Sequence, residues 1–166
     1  FEELVKCGDL MEQYGGHPMA AGLSIREENV EEFRKRLNEN CTLTEKDLMP
    51  KILIDVPMPV SYINKELVNE ISLLEPFGKG NVKPLFAQKG LHVLSSRVLG
   101  KNRNVAKLQL SDHTGCVVEA VYFGEADEFV NAVKESSSIS VTYYPEINRY
   151  QGRENLQIVI RNYLAE

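Results

Sequence analysis

Three consecutive residues near the start of the chain, Gly15, Gly16 and His17, give the densest signal for chemistry. Adjacent glycines let backbone N–H groups converge on an anion, as they do in phosphate-binding loops. A neighbouring histidine can donate a hydrogen bond to a phosphate oxygen or transfer a proton near neutral pH. The pattern indicates a substrate-phosphate contact, although a bare Gly-Gly-His is more often a tight turn with a structural histidine.

A second candidate site is basic. From Pro76 to Ser111 the chain has seven lysine or arginine residues and no acid. The net charge of −5 hides this stretch, because residues 1–75 contain 8 basic and 15 acidic residues, whereas residues 76–166 contain 11 and 9. The local field rather than the total charge decides where a polyanion binds. The second part of the chain is therefore compatible with a nucleic-acid partner.

The composition argues against several classes of protein. No apolar run is long enough to span a membrane and no secretory signal is visible, so we expect a cytoplasmic location. Cys7, Cys41 and Cys116 are an odd number without close pairing, which argues against a disulfide framework or a zinc site. We expect them to be buried or partly buried free thiols. The chain begins at Phe1 inside a helical pattern, which suggests a fragment of a longer protein.

The elements that must position the Gly-Gly-His motif resemble the end of an α/β unit. A helical pattern over residues 1–11 runs into a loop at residues 14–18, and the small apolar residues 19–25 predict a buried strand. Residues 27–40 predict an amphipathic helix, since acids near its start favour the helix dipole. These elements contain too few strands to form a sheet alone.

The middle of the chain predicts a linker at residues 42–50, a short strand at residues 52–56 and a helix capped by Asn64. Pro76 ends that helical pattern, because proline lacks an N–H and disfavours helix at the residue before it. Gly78 and Gly80 then permit unusual backbone angles at the junction with the strands that follow.

Five strands are predicted after this junction, with a helix over residues 125–134 between the third and the fourth. Their ranges are 86–99, 105–111, 116–123, 139–147 and 156–164. Gly90 falls inside the first strand, where the strand must bend, and residues 112–115 predict a hairpin turn. This order is that of an OB-fold barrel, and a generic antiparallel sandwich is the alternative.

OB barrels bind single strands across their second and third strands, between the loop joining strands one and two and the loop joining strands four and five. Both loops are basic here. The candidate nucleic-acid contacts are the basic and aromatic residues of the two loops and one lysine between them: Lys101, Arg103, Lys107, Arg149, Tyr150 and Arg153. Tyr150 could stack on a base, and the alternative is that the charges form only a solvated rim.

Two motifs resemble those of known families. Residues 15–22, Gly-Gly-His-Pro-Met-Ala-Ala-Gly, resemble the signature of the DHHA1 domain of DHH-family phosphodiesterases. Residues 74–86, which begin Leu-Glu-Pro-Phe-Gly-Lys-Gly-Asn, resemble the segment that precedes the OB domain in RecJ-type single-stranded-DNA exonucleases. The two motifs occur in the order expected for that family.

The resemblance implies an enzyme that degrades single-stranded DNA from its 5′ end with a pair of Mn²⁺ or Mg²⁺ ions. The metal ligands of that family lie in an N-terminal domain with an Asp-His-His motif, which this chain lacks. Only Gly15, Gly16 and His17 carry over, as substrate-phosphate contacts. We therefore predict no catalytic residue, metal ligand or cofactor in this chain, which should bind single-stranded DNA without cutting it.

The predicted fold class is α+β in two parts, the C-terminal end of a DHHA1 α/β domain followed by a five-stranded OB-fold barrel. The expected boundaries are 1–45 for the DHHA1 part, 46–84 for a connecting strand and helix, and 85–166 for the barrel. The expected partners are single-stranded DNA and the N-terminal DHH domain of the same protein. The alternatives are a DHH-family phosphodiesterase acting on short oligonucleotides, or an OB module that binds an acidic protein.

Overall fold

The computed structural model describes every residue from Phe1 to Glu166. The chain divides into two compact units, Phe1–Lys51 and Ile52–Glu166. None of its helices is both long and apolar enough to cross a membrane. The three cysteines are free, with Cys7 buried, Cys116 partly buried and Cys41 exposed. The exposure of Cys41 differs from the expectation, because it follows the last residue of a helix at the surface of the first unit.

The first unit is built around a two-stranded antiparallel hairpin. Its elements in chain order are α1 (Glu2–Val5), a 3-10 helix (Gly8–Leu10), β1 (Met11–His17), β2 (Ala20–Ile25), a 3-10 helix (Glu27–Asn29), α2 (Val30–Asn40) and α3 (Glu45–Leu48). The helix predicted over residues 27–40 is confirmed, with its first turn in 3-10 form. The last helix, α3, lies inside the predicted linker.

Three predictions for the first unit are wrong. The helix at residues 1–11 ends after Val5, because Gly8 favours a tight turn and Met11 is already extended. The loop predicted at residues 14–18 is mostly strand, and only Pro18 and Met19 form the turn. The strand predicted as buried, β2, is exposed along nearly its whole length, and its sheet consists of β1 and β2 alone.

The second unit is dominated by β-strands. Its elements are β3 (Val56–Pro57), a 3-10 helix (Val60–Tyr62), α4 (Lys65–Ser72), β4 (Phe86–Leu99), β5 (Val105–Ser111), β6 (Val117–Phe123), α5 (Ala126–Lys134), β7 (Ile139–Tyr150) and β8 (Arg153–Ala165). The five predicted strands, the helix between the third and fourth, and the Asn64 cap are confirmed. The strand predicted at residues 52–56 is wrong, because only Val56 and Pro57 pair with a neighbour.

The five long strands close into a ring. Neighbouring strands pair in the order β4-β5-β6-β8-β7, and β7 pairs back onto β4. Strand β4 takes part twice, because its first half, Phe86–Leu91, pairs with β7 and its second half, His92–Leu99, pairs with β5. The change of partner falls between Leu91 and His92, just after Gly90, whose φ of +66° suits glycine and bends the strand as predicted.

The interior of the ring is filled by alternate residues of the strands. Ala106, Leu108 and Leu110 of β5 are each 0–1% exposed, so the residues between them face outward. Helix α5 adds Phe129, whose ring lies 4.4 Å from that of Tyr122 and 4.5 Å from that of Tyr163. This apolar core holds the outer face of the strands rigid.

Residues 52–84 belong to the same compact unit as the ring, whereas the sequence placed residues 46–84 in a separate connecting segment. Val60 is 2% exposed and packs in the core. The Tyr143 hydroxyl, inside the ring, donates to the carbonyl of Met58 at 2.7 Å, and burial raises the pKa of Tyr143. The amide of Val60 donates to Gln88 Oε1 at 2.6 Å. These bonds tie the segment to β4 and β7.

The hairpin turn between β5 and β6 is confirmed at residues 112–115. One carboxylate oxygen of Asp112, Oδ1, accepts from the amide and hydroxyl of Thr114 at 2.9 and 2.6 Å and from the amide of Cys116 at 3.1 Å. The hydrogen bonds from Thr114 lower the pKa of Asp112, since they favour the charged form. This turn fixes the register of the two strands that carry the candidate interface.

Candidate nucleic-acid interface

The outer face of β5 and β6 carries a row of polar side chains that crosses the barrel. Gln109 of β5 lies opposite Glu119 of β6, which lies opposite Gln157 of β8, which in turn lies opposite Glu146 of β7. The amide of Gln157 donates to Glu146 Oε1 at 2.6 Å. A cavity of about 230 Å³ opens on this face beside Gln109 and Glu119. The barrel therefore presents a polar groove on the face where OB folds bind their ligands.

The two predicted loops lie at opposite ends of this groove. The loop 100–104 joins the ends of β4 and β5, next to the pair Val105–Phe123. The tip of the β7–β8 hairpin lies beyond the other end, because β8 runs parallel to β6 with Gln157 opposite Glu119. Four residue steps along β6 lead from Phe123 to Glu119, and four along β8 lead from Gln157 to Arg153. These eight steps separate the loops by roughly 26 Å at about 3.3 Å per residue. Lys107 lies between them, near the first loop.

Lys107 forms an ion pair with the carboxylate of Glu119. Its ammonium nitrogen lies 2.8 Å from Glu119 Oε2, diagonally across β5 and β6. That oxygen is buried and receives no well-directed hydrogen bond, so the contact is an ion pair with poor hydrogen-bond geometry. The Lys107 side chain is only 23% exposed. Lys107 is thus placed in the groove but is partly neutralised by its neighbour.

Arg103 in the first loop is paired with an acid of helix α5. Its Nε donates to Asp127 Oδ2 at 2.7 Å and its Nη2 donates to Asp127 Oδ1, which makes a bidentate contact. These hydrogen bonds raise the pKa of Arg103 and lower the pKa of Asp127. Lys101, in the same loop, is exposed and has no ion pair. Lys101 is therefore available to a ligand, whereas Arg103 must first lose its contact with Asp127.

The second loop is also stabilised by an acid. Arg149 Nε donates to Glu154 Oε1 at 2.9 Å, and Lys65 at the start of α4 donates to Glu154 Oε2 at 3.1 Å. These bonds lower the pKa of Glu154, since both partners favour its carboxylate. Tyr150, at the tip, is 68% exposed, and Arg153 is exposed without an ion pair. The tip therefore offers one free aromatic ring and one free guanidinium.

The sequence missed Arg97 as a groove residue. It lies on β4 directly opposite Lys107, faces the groove beside Ser95 and Gln109, and has no ion pair. The antiparallel register places it there, because the loop 100–104 sets which residue of β4 meets Lys107. The sequence contained a usable signal: residues counted back along β4 from that loop, every second one facing outward, would have identified Arg97 as the partner of Lys107. Arg97 and Lys107 together form the basic side of the groove.

The Gly-Gly-His motif lies in the first unit, on β1 and its turn. His17 Nδ1 accepts the amide N–H of Met19 at 3.2 Å, so the neutral ring carries its proton on Nε2, where a ligand oxygen could accept it. Gly16 has a φ of +153°, and a Cβ there would lie 2.4 Å from the carbonyl oxygen of Ala20. The hairpin itself requires glycine at this position, which is a structural reason that the sequence did not reveal.

Gly15 is different. A Cβ at Gly15 would have no atom within 4 Å, and the same holds for Gly22, which lies directly opposite on β2. The two residues line a shallow cavity of about 290 Å³ with Tyr14 and Leu23. This part of the hairpin exposes backbone without side chains, so a bulky ligand could approach it closely.

The chain has no candidate metal site. No three side chains among its histidine, cysteine, aspartate and glutamate residues come together as metal ligands would. Asp112 and His113 lie in the β5–β6 turn, where Asp112 uses Oδ1 to accept three hydrogen bonds from the turn itself. The donor set of this chain therefore does not fit the two-metal centre that the resemblance implies for the intact enzyme.

The closed ring of five strands, with a helix between its third and fourth members, defines the second unit as an OB-fold barrel. The family model of the RecJ OB domain matches residues 54–162, and that of the DHHA1 domain matches residues 2–42. Because the first match covers about two thirds of the chain, the chain belongs to the RecJ family. The predicted α+β fold class, with a DHHA1 part followed by an OB part, is confirmed.

Curated relatives support the same assignment. The chain is 32% identical over 164 residues to the single-stranded-DNA-specific exonuclease RecJ of Bacillus subtilis. The aligned region covers 98% of this chain and 21% of that protein. It is 30% identical over 153 residues to RecJ of Haemophilus influenzae, with 89% of this chain and 26% of that protein covered. The chain thus spans about a fifth to a quarter of the length of these relatives.

Solved structures agree with the fold. The crystal structure of RecJ from Thermus thermophilus in complex with Mn²⁺ matches 99% of this chain and 24% of that chain, with a TM-score of 0.74 and 22% identity. The complex of the same protein with Mg²⁺ gives a TM-score of 0.73 and 23% identity, with 98% of this chain and 24% of that chain covered. The RecJ match over the OB domain disfavours a phosphodiesterase that acts only on short oligonucleotides.

Proposed function

We propose that this chain is the C-terminal, DNA-holding part of a RecJ-type exonuclease that degrades single-stranded DNA from its 5′ end. In this proposal the OB barrel binds the strand, and an N-terminal DHH domain of the same protein holds the Mn²⁺ or Mg²⁺ ions that cut it. The intact protein would act in the cytoplasm, in DNA repair and recombination. The chain alone binds DNA and does not cleave it, because it lacks a cluster of metal ligands.

The observation that carries the proposal is the charge of the outer face of the barrel. Arg97 and Lys107 form the basic side of the groove, and the loops at its two ends add Lys101 and Arg153 as unpaired cations. The loops are separated by roughly 26 Å, a length suited to several nucleotides of an extended strand. The cations would contact phosphates, and the exposed ring of Tyr150 would stack on a base.

The Gly-Gly-His hairpin has a second role in the proposal. Gly15 would let a phosphate approach the backbone, and the Nε2–H of His17 would donate to one of its oxygens. Gly16 contributes by shaping the hairpin rather than by contacting the ligand. This contact matters for turnover only in the intact enzyme, where a strand could reach the metal-binding domain.

A binding experiment on the 166-residue chain tests the proposal. A fluorescent single-stranded oligonucleotide is titrated with the chain and compared with the same sequence as a duplex. The groove predicts tighter binding of the single strand, since stacking on Tyr150 requires unpaired bases. An acidic protein added as competitor should displace the strand only weakly. Equal affinity for duplex and single strand, or complete displacement by the acidic protein, would contradict the proposed function.

A further inference from the structure

Arg103, in the loop 100–104, combines an unusual backbone conformation with a bidentate ion pair to Asp127. Arg103 has a φ of +52°, in the left-handed region that glycine and asparagine adopt more readily than arginine. Asparagines stand on both sides of it, at positions 102 and 104, yet arginine occupies the left-handed position. An unfavourable backbone conformation persists only where the surroundings hold it. Here the surroundings include the bidentate contact with Asp127.

The carboxylate of Asp127 offers Arg103 the same kind of oxygen acceptors that a phosphate of DNA would offer. A carboxylate and a phosphate both offer two oxygen acceptors to the planar fork of a guanidinium, and bidentate pairing suits both. The Arg103 side chain is 65% exposed and that of Asp127 is 51% exposed. Exposed ion pairs are weak and screened by salt, so a polyanion can compete for the arginine.

From this geometry we infer that Asp127 is a competitor built into the binding site, which occupies Arg103 until a phosphate of the strand displaces it. The inference rests on the proposed function, since it concerns the ligand of the same groove. The carboxylate lowers the affinity of the barrel for single-stranded DNA and keeps the free guanidinium from other anions. Asp127 thereby sets how tightly the strand is held at this end of the groove.

A double-mutant cycle separates this role from ordinary repulsion. Asp127→Asn should tighten binding of a fluorescent oligothymidine about two- to fivefold at low salt, a gain on the scale of an exposed ion pair. The same change made together with Arg103→Ala should leave the affinity of the Arg103→Ala chain unchanged. The expected result is therefore an effect of Asp127 that requires Arg103.

Glu128→Gln is the matched control. Glu128 neighbours Asp127 in the first turn of α5, is exposed, and has no ion pair, so the variant removes the same charge from the same helix end. We expect its affinity for the oligonucleotide to stay within the error of the unaltered chain. Thermal unfolding of each variant checks that α5 is intact.

Three outcomes would overturn the inference. An equal gain from Asp127→Asn with and without Arg103, or an equal gain from Glu128→Gln, would mean that Asp127 acts only as a general negative charge. Failure of Asp127→Asn to tighten binding would mean either that the pair organises the loop, if binding weakens, or that Asp127 does not compete with the strand, if binding is unaltered. These results leave the proposed function standing, whereas failure of the unaltered chain to bind the oligonucleotide would overturn both.

Discussion

The two units of this chain bury their side chains very differently. In Phe1–Lys51 only Cys7 is buried, and both strands of the hairpin are exposed along most of their length. In Ile52–Glu166 a closed ring of strands surrounds a core that includes Leu91, Leu108 and Phe129, each 0–1% exposed. Each unit carries one candidate contact with DNA, but only the second has the packed core that fixes side chains in place.

The difference shows that a recognisable sequence motif and a well-packed core can occur in different units of the same chain. The Gly-Gly-His hairpin has recognisable residues but little buried apolar surface, so its geometry depends on few interactions of its own. The barrel has no comparably short signature for binding, yet its core fixes the spacing of the groove residues. We therefore propose that single-strand binding belongs to the second unit, and we expect the first to contribute only within a larger protein.

The largest expected effect is on folding of the separated units. Residues 52–166 alone should unfold in one cooperative thermal transition and bind single-stranded DNA within about twofold of the full chain, because the core and the groove are complete. Residues 1–51 alone should show no cooperative transition, since they bury too little apolar surface. Circular dichroism on heating measures both, and a cooperative transition in residues 1–51 would contradict the comparison.

A pair of leucine substitutions sharpens the same contrast. Leu110→Ala, at a position 0% exposed in β5, should lower the free energy of unfolding by about 2–5 kcal/mol through loss of buried methyl groups and cavity formation. Leu23→Ala, at a position 37% exposed in β2, should change it by less than about 0.5 kcal/mol. Denaturant unfolding of the two variants measures the difference. Similar losses for both would show that the hairpin is packed like the barrel.

The barrel could be predicted from the sequence because its signals are local. Alternation of apolar residues defines the strands, Gly90 defines the bend, and Asp112 with Gly115 defines the hairpin turn. The first unit was predicted less well, since the burial of a small-residue strand such as β2 depends on whether another layer covers it. No local pattern contains that information.

The candidate site shows the same limit. The sequence correctly places a basic loop at each end of the outer face. The ion pair of Arg103 with Asp127 could not be predicted in the same way, because Asp127 lies 24 positions further along the chain, in helix α5. The pairing of Lys107 with Glu119 requires the register of β5 and β6. Contacts of this kind depend on the finished fold, so charge counted along the sequence overstated the number of free cations.

The two glycines of the hairpin should respond differently to substitution by alanine. Gly16→Ala should destabilise the hairpin by about 1–3 kcal/mol, because the added Cβ would meet the backbone of Ala20 and Ala21 and the φ of +153° disfavours alanine. Gly15→Ala should be tolerated, since its Cβ would enter open space. Hydrogen exchange of the β1 and β2 amides measures both. Equal protection in the two variants would show that the close approach at Gly16 is not required.

A pair of tyrosines tests whether stacking occurs at the second loop. Tyr150 and Tyr62 are 68% and 69% exposed, but only Tyr150 lies at the tip of the β7–β8 hairpin. Tyr150→Ala should weaken binding of a single strand by about 1–3 kcal/mol without altering its salt dependence. Tyr62→Ala, the control, should bind as the unaltered chain does. Equal losses would mean that the tip is not a stacking platform.

The smallest expected effect is a change in salt dependence, and it depends on which unit loses its cations. Lys35→Ala with Lys46→Ala removes two exposed, unpaired cations from the first unit. Arg103→Ala with Lys107→Ala removes two cations from the groove and its first loop, each of which is paired with an acid in the unbound chain. The charge change is the same in both double variants, so any difference between them reports where the phosphates bind.

The salt dependence of binding tests the central claim most directly. With about four phosphates contacted, a plot of log K against log salt concentration should have a slope near −3 for the unaltered chain, from roughly −0.7 per contact. The groove double variant should flatten that slope by about one unit or more, whereas the first-unit double variant should leave it unchanged. The same slope in all three chains, or a flatter slope only for the first-unit variant, would show that the outer face of the barrel does not hold the strand.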